Sequence, residues 1–210
     1  MTNKLKIFYI LIIVLISPLA VCQQAAKNGI QTGTWSNDGQ VFTNEWANLR
    51  VTLPEGYRSL SPEEIQKVVG FGEEIIINTS GLNKQSYDLS KKRTVYDFII
   101  TSETGLPSFM LLYENIEIQS ILSNLDEKGY LDEVKKNLEK IEIVKYTSIG
   151  TSTKKLAGDD WLVGSFSVND RKIYQDYYLK KVDKAMIAFV VTYTDKKIAD
   201  RFIATISKVK

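Results

Sequence analysis

The sequence of 210 residues contains no histidine and a single cysteine, Cys22. It therefore cannot form a serine–histidine–aspartate or cysteine–histidine catalytic group, an internal disulfide, the usual structural zinc sites or iron–sulfur ligation. A glycine-rich phosphate loop is also missing, because Gly70 and Gly72 lack the third glycine and the preceding strand of that motif. Carboxylates, amines and hydroxyls are the groups left for chemistry. We expect no catalytic residues, no cofactor and no metal.

Residues 23–210 have no excess of either positive or negative charge. Lys4 and Lys6 are the only charged side chains in residues 1–22, and the remaining 25 basic residues balance the 25 acidic ones. A nucleic-acid-binding protein would show a basic excess. Neither nucleic acid nor an anionic membrane surface is therefore an expected partner. The 44% hydrophobic and 25% charged content is that of an ordinary globular protein.

Residues 1–22 have the three parts of a secretory signal peptide. Lys4 and Lys6 precede an apolar run from Ile7 to Ile16, and a small-residue segment leads to Cys22. The run is too short to cross a bilayer as a helix, which takes roughly 20 apolar residues. We therefore expect the protein to be secreted or periplasmic.

The end of this segment, Leu19–Cys22, resembles the lipobox of bacterial lipoproteins, whose cysteine receives a diacylglycerol anchor. The lipobox has glycine, alanine or serine where this chain has Val21. Simple cleavage after Ala20 or after Cys22 is the competing interpretation. The sequence leaves both open, and lipidation of Cys22 is the only membrane attachment that it suggests.

Residues 23–34 are polar, contain glycine and show no periodicity, which is typical of a flexible tether. Residues 35–210 contain no second linker and no repeat, so we expect one domain. Hydrophobic periodicity predicts its helices and strands. The predicted helices are 61–69, 126–140 and 196–208. The main predicted strands are 49–53, 94–101, 108–113, 144–149, 153–156, 161–168, 172–180 and 185–193.

The segment Ala185–Val191 is apolar at every position. A strand of this kind needs cover on both faces of its sheet, and the three predicted helices can supply it. The predicted fold class is therefore α+β, an antiparallel sheet with helices on both faces.

The order of elements resembles the PsbP-like family, which includes the photosystem II extrinsic subunit and many exported bacterial proteins and lipoproteins. The segments that carry the resemblance are Leu49–Tyr57, with its Leu-Pro-x-Gly-Tyr pattern, the hairpin end Tyr113–Ile116, and the strands around Gly158–Trp161. The resemblance covers residues 35–208. It implies an α/β/α sandwich and a binding or accessory role, without a reaction. A metal site built on imidazole cannot be transferred, since this chain has none.

Two groups of side chains are candidates for function. Tyr174 and Tyr178 lie on the same face of one predicted strand and form a candidate binding surface if they are exposed, whereas aromatic residues of a sheet more often belong to its core. Asp159 and Asp160 are candidates for a hard cation, although a hairpin turn explains them better.

The acidic pairs Glu63-Glu64 and Glu73-Glu74 suggest acid–base chemistry, although acids near a helix start also favour the helix dipole.

We expect an exported, non-catalytic binding or accessory protein of the cell envelope, with an unknown protein or envelope partner. The alternatives are a carboxylate-dependent hydrolase of the glycosidase type and a small-ligand carrier.

Overall fold

The computed structural model describes residues 29–79, 92–141, 144–168 and 172–209, with the backbone alone for residues 73–79. The predicted signal peptide, Cys22 and most of the predicted tether lie outside the described residues. Within them, eleven strands form two antiparallel sheets, accompanied by four helices. No described helix is both long and apolar enough to span a bilayer.

The strands are β1 (Thr34–Trp35), β2 (Val41–Asn44), β3 (Leu49–Thr52), β4 (Tyr57–Ser59), β5 (Thr94–Ser102), β6 (Ser108–Asn115), β7 (Tyr146–Leu156), β8 (Asp159–Val168), β9 (Ile173–Val182), β10 (Ala185–Tyr193) and β11 (Ile206–Ser207). The helices are α1 (Pro62–Thr79), α2 (Glu117–Ser123), α3 (Glu127–Glu139) and α4 (Lys196–Ile203).

The large sheet has seven strands in the order β4-β5-β6-β10-β9-β8-β7. Its central strand β10 is buried at every residue, as the unbroken apolar sequence predicts. One face of the sheet packs against α1 and α3. Leu131, Val134 and Leu138 of α3 join Ile99 and Tyr177 of the sheet in this first core.

The other face of the large sheet is covered by the small sheet, of order β1-β2-β3-β11, together with α4. Phe42 and Val51 of the small sheet and Phe202 of α4 pack against Phe98 and Phe189 in this second core. The α+β fold class is therefore confirmed, and helices lie on both faces. The second face differs from the expectation in being shared between a helix and a sheet.

Three element boundaries differ from the sequence predictions. The C-terminal helix ends at Ile203, and Ile206–Ser207 forms β11 by pairing with Val51 and Arg50 of β3. The two strands predicted within 144–156 are one strand, β7, with a bulge between Ser148 and Gly150. Helix α1 continues to Thr79 instead of ending at residue 69, because two glycines lower helix propensity by only about 1 kcal/mol each.

The start of α1 is the predicted capping box. The Glu64 backbone N–H donates to Ser61 Oγ at 3.3 Å, and the Ser61 N–H donates to Glu64 Oε2 at 2.9 Å. Each side chain thereby satisfies a backbone donor that the first helical turn leaves free.

Candidate interaction surface

The acidic residues that suggest metal or acid–base chemistry are held in ion pairs. Asp159 contacts Nζ of Lys180 and Nζ of Lys208, each at 2.6 Å, and these hydrogen bonds lower the pKa of Asp159 to about 2. Asp160 pairs with Lys155 at 2.8 Å. Across the described ranges, no cluster of three acidic, cysteine or histidine side chains is arranged to hold a metal ion.

The turn before Asp159 supports the hairpin interpretation of these acids. Ala157 and Gly158 both have positive φ, at 50° and 78°. Two successive residues in this region match the tight turn that joins neighbouring antiparallel strands. Asp159 and Asp160 therefore begin β8 and anchor the β7–β8 hairpin through lysines.

Glu64 is committed to the start of α1. Its two carboxylate oxygens accept from the Arg58 guanidinium at 2.8 Å each, and this contact is the main cause that lowers the pKa of Glu64 to about 2. A carboxyl held ionised in this way cannot donate a proton near neutral pH. The side chains of Glu73 and Glu74 lie outside the described residues.

The predicted surface of Tyr174 and Tyr178 is mostly covered. Tyr178 is only 2% exposed, and its ring lies 6.2 Å from that of Phe189 in the second core. Tyr174 is half-buried and stacks on Tyr193 with a ring separation of 5.7 Å. The two tyrosines share a strand face, as predicted, but they do not form an exposed pair. Tyr178 is a core residue because separate elements pack on this face and cover it. The sequence alone does not identify those elements.

A cleft of about 390 Å³ opens at one end of the molecule, beside the turn that joins β9 to β10. One side is formed by Asp183, Lys184 and Ala185 from this turn. The rest of its lining consists of Gly29, Ile30 and Trp46. The cleft is open and partly charged, in contrast to the enclosed apolar cavity that a small-ligand carrier requires.

A buried polar network lies behind Trp46 of this cleft. Asp97 is the extra residue of a bulge in β5, and its carboxylate accepts from the Gly33 N–H at 3.0 Å, from Asn44 Nδ2 at 3.0 Å and from the Tyr113 hydroxyl. Burial raises the pKa of Asp97 despite these hydrogen bonds, and burial also raises the pKa of Tyr113 well above its ordinary value. These donors come from three separate segments of the chain, so the carboxylate joins the segment before β1, strand β2 and strand β6.

The network positions the residues that line the cleft. Asn44 Nδ2 donates to the Gln31 carbonyl at 2.8 Å, next to Ile30, and Asn44 Oδ1 accepts from the Ala47 N–H at 2.8 Å, next to Trp46. The Asn44 side chain thereby holds in place the two segments that contribute Ile30 and Trp46 to the cleft. The Trp46 ring then packs edge-on against Tyr113, 5.3 Å away.

Helix α2, beside the cleft, presents an apolar face to solvent. Ile118, Ile121 and Leu122 are 63%, 76% and 80% exposed, the highest values for large apolar side chains among the described residues. Their spacing of three and four places them on one side of the helix. Glu117, the first residue of α2, forms an ion pair with Lys184 of the cleft. We call the three exposed side chains the α2 apolar face.

The body of α2 is held at its two ends. At the start, Ile116 is fully buried and its N–H donates to the Lys184 carbonyl at 2.9 Å. At the end, Asn124 adopts a left-handed conformation, and its N–H closes the helix by donating to the Ser120 carbonyl at 3.0 Å. The next residue, Leu125, is buried in the first core and holds this end of the helix to the domain. No residue within α2 is buried. The buried residues Ile116 and Leu125, on either side of α2, therefore hold the helix with the α2 apolar face directed to solvent.

Sequence reasoning missed both α2 and Asp97, although each has a local signal. Ile118, Ile121 and Leu122 have helical spacing within a short segment, and Asp97 interrupts an otherwise apolar strand. These patterns indicate a helix and a partly buried carboxylate. They do not indicate that the apolar side of the helix faces solvent, because the orientation depends on the buried residues Ile116 and Leu125 that flank it.

Comparison with known proteins identifies the fold. No family model and no curated protein matches the sequence. Among solved structures, the chain is similar to cyanobacterial PsbP (CyanoP) from Synechocystis sp. PCC 6803, determined in solution. The TM-score is 0.50 at 10% sequence identity, and the match covers 84% of this chain and 98% of that one. The structure thus confirms the resemblance at the level of the fold, which is PsbP-like.

Proposed function

We propose that this chain is an exported, non-catalytic accessory protein of the cell envelope that acts by docking. The observation that carries the proposal is the α2 apolar face, since a cluster of large apolar side chains exposed on a domain surface often marks a site of interaction. The PsbP-like fold is compatible with this role. Glu64, which was considered for acid–base chemistry, is engaged by Arg58, and Asp159, which was considered for a hard cation, is engaged by Lys180.

Export is supported by residues 1–22, where two lysines precede an apolar run and a small-residue exit. Whether the protein is released or anchored depends on Cys22. Acylation of this residue would tether the domain to a membrane, and plain cleavage would free it in the periplasm or the medium.

The intact mass of the protein from fractionated bacteria tests export. We expect a processed chain in the envelope or periplasmic fraction. A mass that begins at Cys22 and includes acyl chains identifies an anchored form, whereas a start at Val21 or Gln23 identifies a released form. Cys22→Ser is the matched control, because it removes the acylation site and leaves the apolar run intact. An unprocessed chain in the cytosol would contradict the proposal.

A further inference from the structure

We propose that the partner of the α2 apolar face is the surface of a lipid bilayer, into which Ile118, Ile121 and Leu122 insert. This inference rests on the proposed envelope function and deepens it by naming the partner. It concerns a second contact with the membrane, made by the folded domain and separate from any lipid on Cys22.

The first argument is the orientation of α2. Its apolar side chains point to solvent, while Ser120 Oγ and Gln119 Oε1 are inaccessible to solvent and have no hydrogen-bond partner within the described structure. A helix that only packed onto the domain would turn its apolar side inward. The observed orientation, fixed by anchors at both ends, suits a helix that lies between the domain and an apolar medium.

The second argument is the direction from which the N-terminal segment arrives. Gly29, the first described residue, lines the same cleft as Lys184, and Lys184 pairs with Glu117 at the start of α2. Cys22 precedes Gly29 by seven residues, which span at most about 25 Å when fully extended. A membrane that holds Cys22, or the apolar run before it, is therefore within reach of this end of the domain.

The third argument is the charge next to the α2 apolar face. Lys184 is 66% exposed but is paired with Glu117, so this ion pair adds no net charge beside the face. Insertion would then depend on apolar contact and not on anionic headgroups. This predicts binding that is insensitive to salt and to the fraction of anionic lipid.

Three side chains provide a weak contact on their own. A tether that confines the domain near the bilayer raises the local concentration to the millimolar range, where weak contacts become occupied. The two attachments would thereby act together, and the α2 apolar face would set the orientation of the domain on the membrane.

The test uses the full chain in a Cys22→Ser background with an environment-sensitive fluorophore attached to a new cysteine, Leu122→Cys. The matched control is Ile149→Cys, since Ile149 is another exposed aliphatic residue, 57% exposed on edge strand β7. The vesicles contain phosphatidylethanolamine and phosphatidylglycerol, with a lipid that carries a quencher on its acyl chain. We expect quenching of the fluorophore at position 122 and not at position 149, at both low and high salt.

A second variant measures the energetic contribution of the face. In the processed chain, which lacks residues 1–22 and their apolar run, combining Ile118→Ser, Ile121→Ser and Leu122→Ser should lower vesicle binding roughly tenfold or more, because the apolar area of the α2 face is removed. Folding should be unaffected, since none of the three side chains is buried. The control Ile149→Ser should leave vesicle binding unchanged.

Other outcomes overturn the inference in distinguishable ways. If the chain floats with vesicles but position 122 is not quenched, membrane attachment stands and the role of α2 is wrong. If the fluorophore at position 122 shifts to the blue without vesicles, a second copy of the chain covers the face. If the chain does not associate with vesicles, the inference fails, while processing of residues 1–22 still tests export separately.

Discussion

At the scale of single residues, the most informative position is Asp97. A carboxylate that is withdrawn from water is costly unless hydrogen bonds replace its hydration. For the partly buried Asp97, Gly33, Asn44 and Tyr113 supply these hydrogen bonds. The carboxylate thereby joins the segment before β1, strand β2 and the large sheet. Even with these hydrogen bonds, withdrawal from water raises the pKa of Asp97 above its ordinary value.

This raised pKa predicts a pH dependence of stability. The folded state binds a proton on Asp97 more tightly than the unfolded state, whose pKa is near 3.8. The stabilisation due to protonation is therefore complete below the unfolded-state pKa and is lost as the pH rises through the folded-state pKa. The difference in unfolding free energy between wild type and Asp97→Asn should shrink as the pH rises from about 3.5 to 7.

Urea unfolding of both proteins across this pH range measures the difference. Ile99→Val is the control, because it removes a buried methyl group and leaves the titrating carboxyl in place. Its difference from wild type should stay constant with pH. A difference for Asp97→Asn that grows with pH would mean that hydrogen bonding, and not burial, dominates the carboxyl.

At the scale of elements, much of the fold follows from sequence patterns. The capping box of α1, helix α3 and the buried strand β10 were all predictable, because each depends on neighbours along the chain or on a long apolar run. The exceptions depend on distant partners. Residues 204–209 keep the apolar spacing of a helix, but the helix ends before them, and pairing of Ile206 with Val51 makes Ile206–Ser207 a strand.

Candidate sites were less predictable than elements. Tyr178 and Tyr174 were correctly placed on one strand face, but which part of that face is covered depends on the packing of separate elements. Helix α2 was missed because its apolar residues contribute to neither core. Periodicity identifies a face, and tertiary contacts decide whether it is exposed.

The packing of α3 on β8 depends on Gly164. A Cβ atom at this position would lie 2.4 Å from Leu131 Cδ1, so Gly164→Ala should destabilise the protein by about 1–3 kcal/mol through overpacking. Leu131→Ala alone should cost about 2–5 kcal/mol by leaving a cavity. The double variant should cost less than the sum, because the added methyl group occupies space vacated by the leucine.

Chemical unfolding of wild type, Gly164→Ala, Leu131→Ala and the double variant measures this coupling energy. Gly150→Ala is the control, since a Cβ there meets no atom within 4 Å, and its effect should be small. Additive effects of Gly164→Ala and Leu131→Ala would show that the helix does not approach the strand closely at this point.

The capping box of α1 predicts a second effect at this scale. Ser61→Ala removes the hydroxyl that accepts from the Glu64 N–H and should lower the unfolding free energy by about 1 kcal/mol. The neighbouring Ser59→Ala is the control, because the Ser59 hydroxyl makes only a long 3.5 Å contact to the next carbonyl. Equal losses in the two variants, measured by thermal unfolding, would rule out a specific contribution from the cap.

At the scale of the whole molecule, two cores share one sheet. Strand β10 contributes alternate residues to each core, with Ala188 and Val190 on one face and Phe189 and Val191 on the other. If the elements packed on one face of the sheet detach, the apolar residues on that face become exposed to water. The same strands carry the residues that pack against the elements on the other face. The two layers are therefore expected to unfold together.

The tryptophans provide the means to test this coupling. Trp35, Trp46 and Trp161 all belong to the second core or pack against it, so their fluorescence reports on that face alone. Far-UV circular dichroism also reports on α1 and α3 of the first face. We expect coincident urea transitions by the two methods. A fluorescence transition at lower urea would show that the small sheet and α4 detach first.

The small sheet joins the beginning of the domain to its end, because β3 pairs with β11 at Ile206–Ser207. A polypeptide that leaves the ribosome N-terminus first cannot complete this sheet until Ile206 and Ser207 are free. Among the described strands, β11 is the last to emerge, so the second core is completed after the large sheet is already available. Closure of this face is therefore expected to be a late event in the folding of a nascent chain.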